Sequence, residues 1–235
     1  MPGVTIALWG GLLADDPSRR DREQTWRRER VVASLVDDLT IEAATAEAVW
    51  AHAVTTFRTA WRDEHHTVGI ARALGEGLAA QGLRPGPGFE LLVSELETRA
   101  LDDAPQPLPG AVEAVRTLAE RWPVGVLCDV RVTPAPVLRD VLESIGIAPH
   151  LDAAIFSDEV GAARPAREVF RVASRELGVP LEALVHAGPS EARDVLGAQA
   201  AGARAVRIGE PPSVAEACCD GLPGLFAAVE AVIAS

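Results

Sequence analysis

From residue 111 onward the chain alternates helical and strand-like segments, and this alternation limits the fold more than any other feature. Ala111–Arg121 has helical spacing and Val124–Cys128 is a short apolar run. Pro134–Ile145 is helical before the run Ala153–Phe156, and Pro165–Leu177, stopped by Gly178, is helical before Ala183–Ala187. Glu191–Ala201 is helical before Ala205–Ile208. Short apolar runs separated by helices read as buried parallel strands joined by right-handed crossovers, with helices on both faces. Ser213-Val-Ala-Glu216 reads as a capping box opening a last helical region that reaches Ile233.

One strand precedes this series. Val4–Trp9 is apolar and breaks at Gly10-Gly11, the pattern of a buried strand closed by a tight turn. Ligands of open α/β sheets bind beyond the carboxyl ends of the strands, so this turn should floor a site. It carries no carboxylate, hydroxyl, thiol or imidazole. Ala14–Ser18 is polar and holds Pro17, and Asp15 and Asp16 read as surface loop. From Arg19 to about Asp103 the pattern is helical: Val31, Val32, Leu35, Val36 and Leu39 recur at helical spacing, as do Trp50, Val54, Phe57 and Trp61. Two further helices are predicted over Thr67–Gln81 and Gly88–Leu101. The mixed charges of Arg19–Arg30 predict a solvated helix face, and the proline-rich stretch 102–110 marks a boundary. The expected architecture is therefore α/β. Residues 1–14 and 105–235 form a three-layer, Rossmann-like parallel sheet, and residues 15–104 form an all-helical cap inserted after the first strand.

Composition narrows the partners. The net charge is −12 and no basic face stands out, which argues against nucleic acid or an anionic membrane as main partner. No apolar run approaches the ~20 residues needed to cross a bilayer. The beginning of the chain does not resemble a signal peptide. Three cysteines, Cys128, Cys218 and Cys219, are too few and odd in number for a disulfide framework and suit a reducing cytoplasm. All 22 basic residues are arginine, so no step can use a lysine amine.

Three stretches then resemble the haloacid dehalogenase-like hydrolase superfamily: Phe156-Ser-Asp-Glu-Val-Gly-Ala-Ala-Arg-Pro165, Leu184-Val-His-Ala-Gly-Pro-Ser-Glu-Ala-Arg-Asp194 and Ala198-Gln-Ala-Ala-Gly-Ala-Arg-Ala-Val206. The resemblance implies that the inserted helices form a cap over the core cleft. It also implies four motifs, and this chain departs from each. The nucleophilic aspartate that closes the first strand falls on Ala7 or, in the neighbouring register, Leu8. The second aspartate falls on Trp9 or Gly10. The Ser/Thr after the second strand falls on Cys128, a weak hydrogen-bond donor. The lysine falls on Arg164, which keeps the charge but not the point geometry. In the magnesium motif, Pro189 replaces the first aspartate and Asp194 matches the second. A hydrocarbon cannot replace a carboxylate nucleophile, and Asp194 alone could hardly hold magnesium.

The candidate catalytic groups left at strand ends are Asp129, Cys128 and Asp194. The candidate ligand-binding residues are Trp9, Gly10, Gly11, Asp129, Arg131, Arg164 and Ser190. Ser157, Asp158 and Glu159 are also polar there, and the cap could add Trp61, His65 or His66. The simpler readings make Cys128 a buried space-filling thiol, Asp129 and its arginine a loop-fixing pair, His186 structural, Ser190 a helix cap and Asp194 the fixer of its turn. Cys218 and Cys219 have no assigned role. No metal and no cofactor is expected. The functional expectation is a cleft turned to a small organic ligand, anionic ones included, with metal-independent lyase, isomerase, cyclase or atypical hydrolase chemistry. A non-catalytic ligand-binding or partner protein is the alternative, and a weak hydrolase with a non-standard nucleophile the second. A homodimer remains open.

Overall fold

A computed structural model describes residues 1–235. The chain begins with β1 (Gly3–Ala7) and continues into four helices, α1 (Pro17–Leu39), α2 (Ala43–Arg62), α3 (Ile70–Ala80) and α4 (Phe89–Asp102). There follow α5 (Ala111–Ala119), β2 (Val124–Cys128), α6 (Ala135–Ser144), β3 (Ala153–Phe156), the single turn α7 (Ser157–Val160), α8 (Arg167–Glu176) and β4 (Leu184–Gly188). A π-helical turn at Glu191–Val195 leads into α9 (Leu196–Ala201), and the chain ends with β5 (Arg204–Ile208), β6 (Ala217–Cys219) and α10 (Leu225–Ala234).

All six strands are parallel, in the order β3-β2-β1-β4-β5-β6. This is a Rossmann-like α/β sheet. The chain leaves β1 towards β2 on one side and later returns to β4 on the other, so β1 and β4 flank the switch point where such sheets bind ligands. Alternation along each strand feeds two cores. Val4, Ile6 and Leu8 join Val126, Cys128, Val185 and Ala187 on one face. Leu127, Leu184 and Ala205 meet Val169 and Phe170 of α8 on the other. Strands buried on both faces are apolar throughout, which is why β2 and β3 fall on the predicted runs.

The four inserted helices hold a separate apolar cluster, with Val31, Leu35, Val49, Trp50, Leu74 and Leu96 at its centre. Helices α2 and α3 touch closely: a Cβ on Gly77 would stand 2.7 Å from the Val49 carbonyl oxygen. Helix α1 starts because Asp16 caps it, accepting from the amides of Ser18 at 3.0 Å and Arg19 at 3.2 Å, with Pro17 at its first position. No helix is long and apolar enough to cross a membrane.

The end of the chain corrects the sequence reading. Ser213-Val-Ala-Glu216 opens no helix. Glu191 takes up Ser213 Oγ at 2.8 Å and the Val214 amide at 3.0 Å, and the chain enters the edge strand β6, which carries Cys218 and Cys219. The last helix begins only at Leu225.

Candidate active-site cleft

The turn after β1 is built by backbone constraints. The amides of Leu12 and Leu13 return to the Leu8 carbonyl at 3.0 and 2.8 Å. Gly10 has φ +72°, a conformation glycine adopts without strain, and a Cβ on Gly11 would collide with the Ala7 carbonyl oxygen at 2.1 Å. Gly10 and Gly11 therefore shape the turn and do not line the cleft, contrary to expectation. Ala7 and Leu8 are buried, Leu8 in the core on the face that alternation assigns it. Trp9 reaches the cleft. Above Gly10, where a side chain would stand, the Pro189 ring (Cγ at 2.9 Å) and the Asp15 Cβ (3.9 Å) occupy the neighbouring space. Asp15 lies in the exposed loop expected from its place in sequence. It lies at the mouth of the cleft, its Oδ2 accepting from Arg20 at 2.8 Å.

Behind this turn lies a buried ionic chain. The Arg164 backbone amide donates to Asp129 Oδ1 at 3.0 Å, and its guanidinium donates to both Asp129 oxygens at 3.2 Å. The same guanidinium donates to Asp194 Oδ1 at 2.5 Å. Asp194 Oδ2 accepts the Ser190 amide at 2.7 Å, and Asp194 Oδ1 lies 3.2 Å from His186 Nε2. His186 Nδ1 lies 3.0 Å from Thr5 Oγ1, and its ring meets Phe170 edge-on. Burial alone would raise the Asp194 carboxyl, but the Arg164 charge and the His186 hydrogen bond outweigh it and hold the group well below the usual carboxylate range. Burial lowers His186, against the pull of Asp194, and keeps the imidazole neutral. These residues link β1, the ends of β2 and β4, and the segment before α8, so they hold the switch point in shape.

The other candidates follow from this frame. Cys128 is buried, and burial and the Asp129 charge push its thiol well above the ordinary value, which removes it as a nucleophile. Ser190 caps the turn after β4 through the Arg193 amide at 3.3 Å and does not line the cleft. Ser157 Oγ accepts the Val130 amide at 2.7 Å, Asp158 holds the Ala135 amide at 3.0 Å, and Glu159 pairs with Arg139 at 2.6 Å. None of these three points into the cleft. His66 lines it, whereas His65 accepts the Ala163 amide at 2.7 Å through its carbonyl and ties the helical block to the sheet.

The cleft has two parts. A small pocket of about 110 Å³ at the sheet end is bordered by Trp9, by the aspartates 15, 16, 129 and 194 and by the arginines 19, 20, 131, 164 and 193. It adjoins a larger cavity of about 580 Å³ between α1, α2 and the sheet. One wall is the α2 stripe Trp50, Val54, Phe57 and Trp61, and the other is α1 with Arg19, Arg20, Glu23 and Arg27. Two guanidiniums stack on Trp61, Arg131 at 4.9 Å and Arg193 at 4.5 Å from its ring centre. Seven arginines and three carboxylates line the larger cavity, a positive interior in a chain of net charge −12. The charged run Arg19–Arg30 is therefore corrected in part: Glu23 is only 4% exposed, and the face bearing Arg19, Glu23 and Arg27 borders the cavity. The four-residue spacing of these charges opposite the α2 stripe is the signal that could have revealed this.

A divalent cation such as magnesium does not fit the sheet end as built. The Arg164 guanidinium stands between Asp129 and Asp194 and takes the oxygens that would coordinate one. No cluster of three metal-ligating side chains exists elsewhere.

Comparison with known proteins adds the lineage. A family model for haloacid dehalogenase-like hydrolases matches residues 13–202. A phosphoserine phosphatase of Thermus thermophilus is 30% identical over 147 residues, covering 52% of this chain and 59% of that protein. The chain thus spans about three fifths of that relative's length. A phosphatase of the same superfamily from Thermococcus onnurineus superposes with TM-score 0.64 at 21% identity, covering 97% of each chain. A 2-haloacid dehalogenase from Pseudomonas syringae superposes at 0.66 and 18% identity, covering 98% of this chain and 99% of that one. At these identities the superpositions show a shared fold. The hydrolase family match and the similarity to a phosphatase overturn the expectation that this chain is no phosphatase or dehalogenase and that its cleft has turned to lyase, isomerase, cyclase or atypical hydrolase chemistry, or to binding alone.

Proposed function

Because the chain belongs to the haloacid dehalogenase-like hydrolase family, we propose that it hydrolyses a small anionic ester, a phosphomonoester first of all, in the cleft between the sheet and the helical block. The observation that carries this reading is the charge of the cleft: unlike the rest of the surface it is dominated by arginine, and two of those side chains, Arg131 and Arg193, stand over Trp61 beside a pocket sized for one head group. Arg131 forms no ion pair, and Arg193 has only a 4.0 Å approach to Asp129, so both have donors to offer an oxyanion. The similarity to a phosphoserine phosphatase of Thermus thermophilus agrees with phosphate as head group.

Asp15 is the carboxylate proposed to act on the substrate. Asp129 and Asp194 are held by Arg164, whereas Asp15 is half-exposed and held by Arg20 alone. It is assigned the proton of the attacking water, as general base: the water oxygen bonds to phosphorus as the ester P–O bond breaks, Asp15 passes the proton it takes to solvent, and the leaving oxygen takes a proton from solvent. Arg164, with its two carboxylates, is a positioning group that fixes the pocket wall. The helical block, residues 15–104, acts as the lid, and Trp50, Val54, Phe57 and Trp61 cover the leaving group and exclude water. The free thiols support a cytoplasmic setting.

The test is hydrolysis by the purified chain of a panel of small phosphomonoesters and haloacids, followed by release of phosphate or halide. The expected result is turnover of phosphomonoesters, inhibited by inorganic phosphate and weakened by salt, because the cleft attracts its substrate by charge. Turnover of no member of the panel would contradict the proposal.

A further inference from the structure

The helical end of the larger cavity holds an arginine, Arg27, that does not border the head-group pocket. Glu23 of α1 is shared by Arg27, at 3.0 Å, and Arg99 of α4, at 3.4 Å. Arg99 also reaches the exposed Asp102 at 3.9 Å and stacks on Trp26 at 4.7 Å. Arg19 is tied to Asp103, through the carbonyl at 2.5 Å and the carboxylate at 3.8 Å. Arg27 has the shared Glu23 and no other acidic partner. Arg27 Nε is buried without a hydrogen bond, as are Arg19 Nε and Arg99 Nε. Buried polar groups are normally satisfied, and a guanidinium left short of acceptors lacks a ligand atom. Burial, with Arg19 and Arg99 close by, lowers the Arg27 guanidinium even though Glu23 opposes the shift. Another anion would relieve that crowding.

The position of this end fixes what could reach it. Arg27 lies seven residues beyond Arg20, about 10 Å along α1. The Arg28–Glu47 pair, 2.8 Å, brings this part of α1 beside the Trp50 end of α2, so the apolar stripe from Trp61 to Trp50 runs between the two charged ends. We infer that the substrate is a double anion with an apolar body: its ester head group sits by Arg131 and Arg193, and a second acidic group, of carboxylate type, is received by Arg27. This rests on the reading that the cleft holds an anionic ester, and it names the class of leaving group.

Calorimetric binding to the intact chain separates the two claims without needing turnover. The probes are a para-phosphonophenyl propanoate, which cannot be hydrolysed, and its uncharged amide of the same shape. The acid is expected to bind about tenfold tighter than the amide, the range of one charge-assisted hydrogen bond. Arg27→Met should bring the two affinities within about twofold of each other, and Arg27→Lys should restore most of the preference. Equal binding of acid and amide to the wild-type chain, or a preference that survives Arg27→Met, overturns the second-anion site and leaves the hydrolase reading standing. Failure of both probes to bind overturns both. Should Arg27→Met fold poorly, the wild-type ratio and the lysine variant decide.

Discussion

Arg164→Met is expected to destabilise the fold by about 4 kcal/mol or more, lowering Tm by about 10 °C. The size follows from burial. Arg164, Asp129 and Asp194 are each 4% exposed or less, and the guanidinium is the main cation between two carboxylates. Removing it leaves both carboxylates buried; the Asp129 contact with Arg193 is 4.0 Å long, and His186 is kept neutral. Such an uncompensated charge costs far more than a surface pair. Arg164→Lys should cost less, since it keeps the charge and loses the fork that reaches both carboxylates. The same network gives a pH dependence. The folded-state pKa of Asp194 is depressed, so its contribution is fully present above its unfolded value near 3.8 and is lost as pH falls below that value. Wild-type Tm should therefore drop as pH falls below about 4, and Arg164→Met should flatten that drop. Thermal denaturation of the two variants and the wild-type chain across this range checks both expectations. A Tm for Arg164→Met within about 2 °C of wild type would show that the buried chain does not hold the switch point together.

Asp15→Asn carries the largest expected effect on activity. It should lower kcat by about a thousandfold, the range of one general base, with KM changed little. Asparagine keeps the shape and a hydrogen bond to Arg20 but cannot take a proton. Asp15 is exposed and belongs to no core cluster, so Tm should move by less than about 3 °C. Steady-state kinetics with the best phosphomonoester of the panel, together with a melting curve, separate loss of chemistry from loss of structure. A variant within twofold of the wild-type kcat would remove Asp15 from the reaction.

The fold was legible because its signals are local. β2 and β3 occupy the runs predicted for them, and α1–α4 follow the apolar spacing of residues 31–39, 50–61 and beyond. β6 was missed because a three-residue edge strand has no period to detect, and because Ser213 and Glu216 imitate a helix start while bonding to other partners. The ionic chain was half legible. Asp129, Arg164 and Asp194 stand out at strand ends, but their common contact depends on the switch-point geometry. The cleft lining was least legible. Arg20, Glu23 and Arg27 look like a solvated face until α1 is set against α2 and the sheet, and the loop residue Asp15 shows its place at the cleft mouth only once the turn after β1 is folded. A charged helix face has one appearance in sequence whether water or a substrate lies over it.

The most direct test of the account is a crystal structure of the chain with inorganic phosphate. The anion is expected in the small pocket at the sheet end, within hydrogen-bond reach of Arg131 and Arg193 and with the Asp15 carboxylate facing it. Phosphate bound only outside the cleft, or a cleft in which Asp15 turns away from the anion, would contradict it.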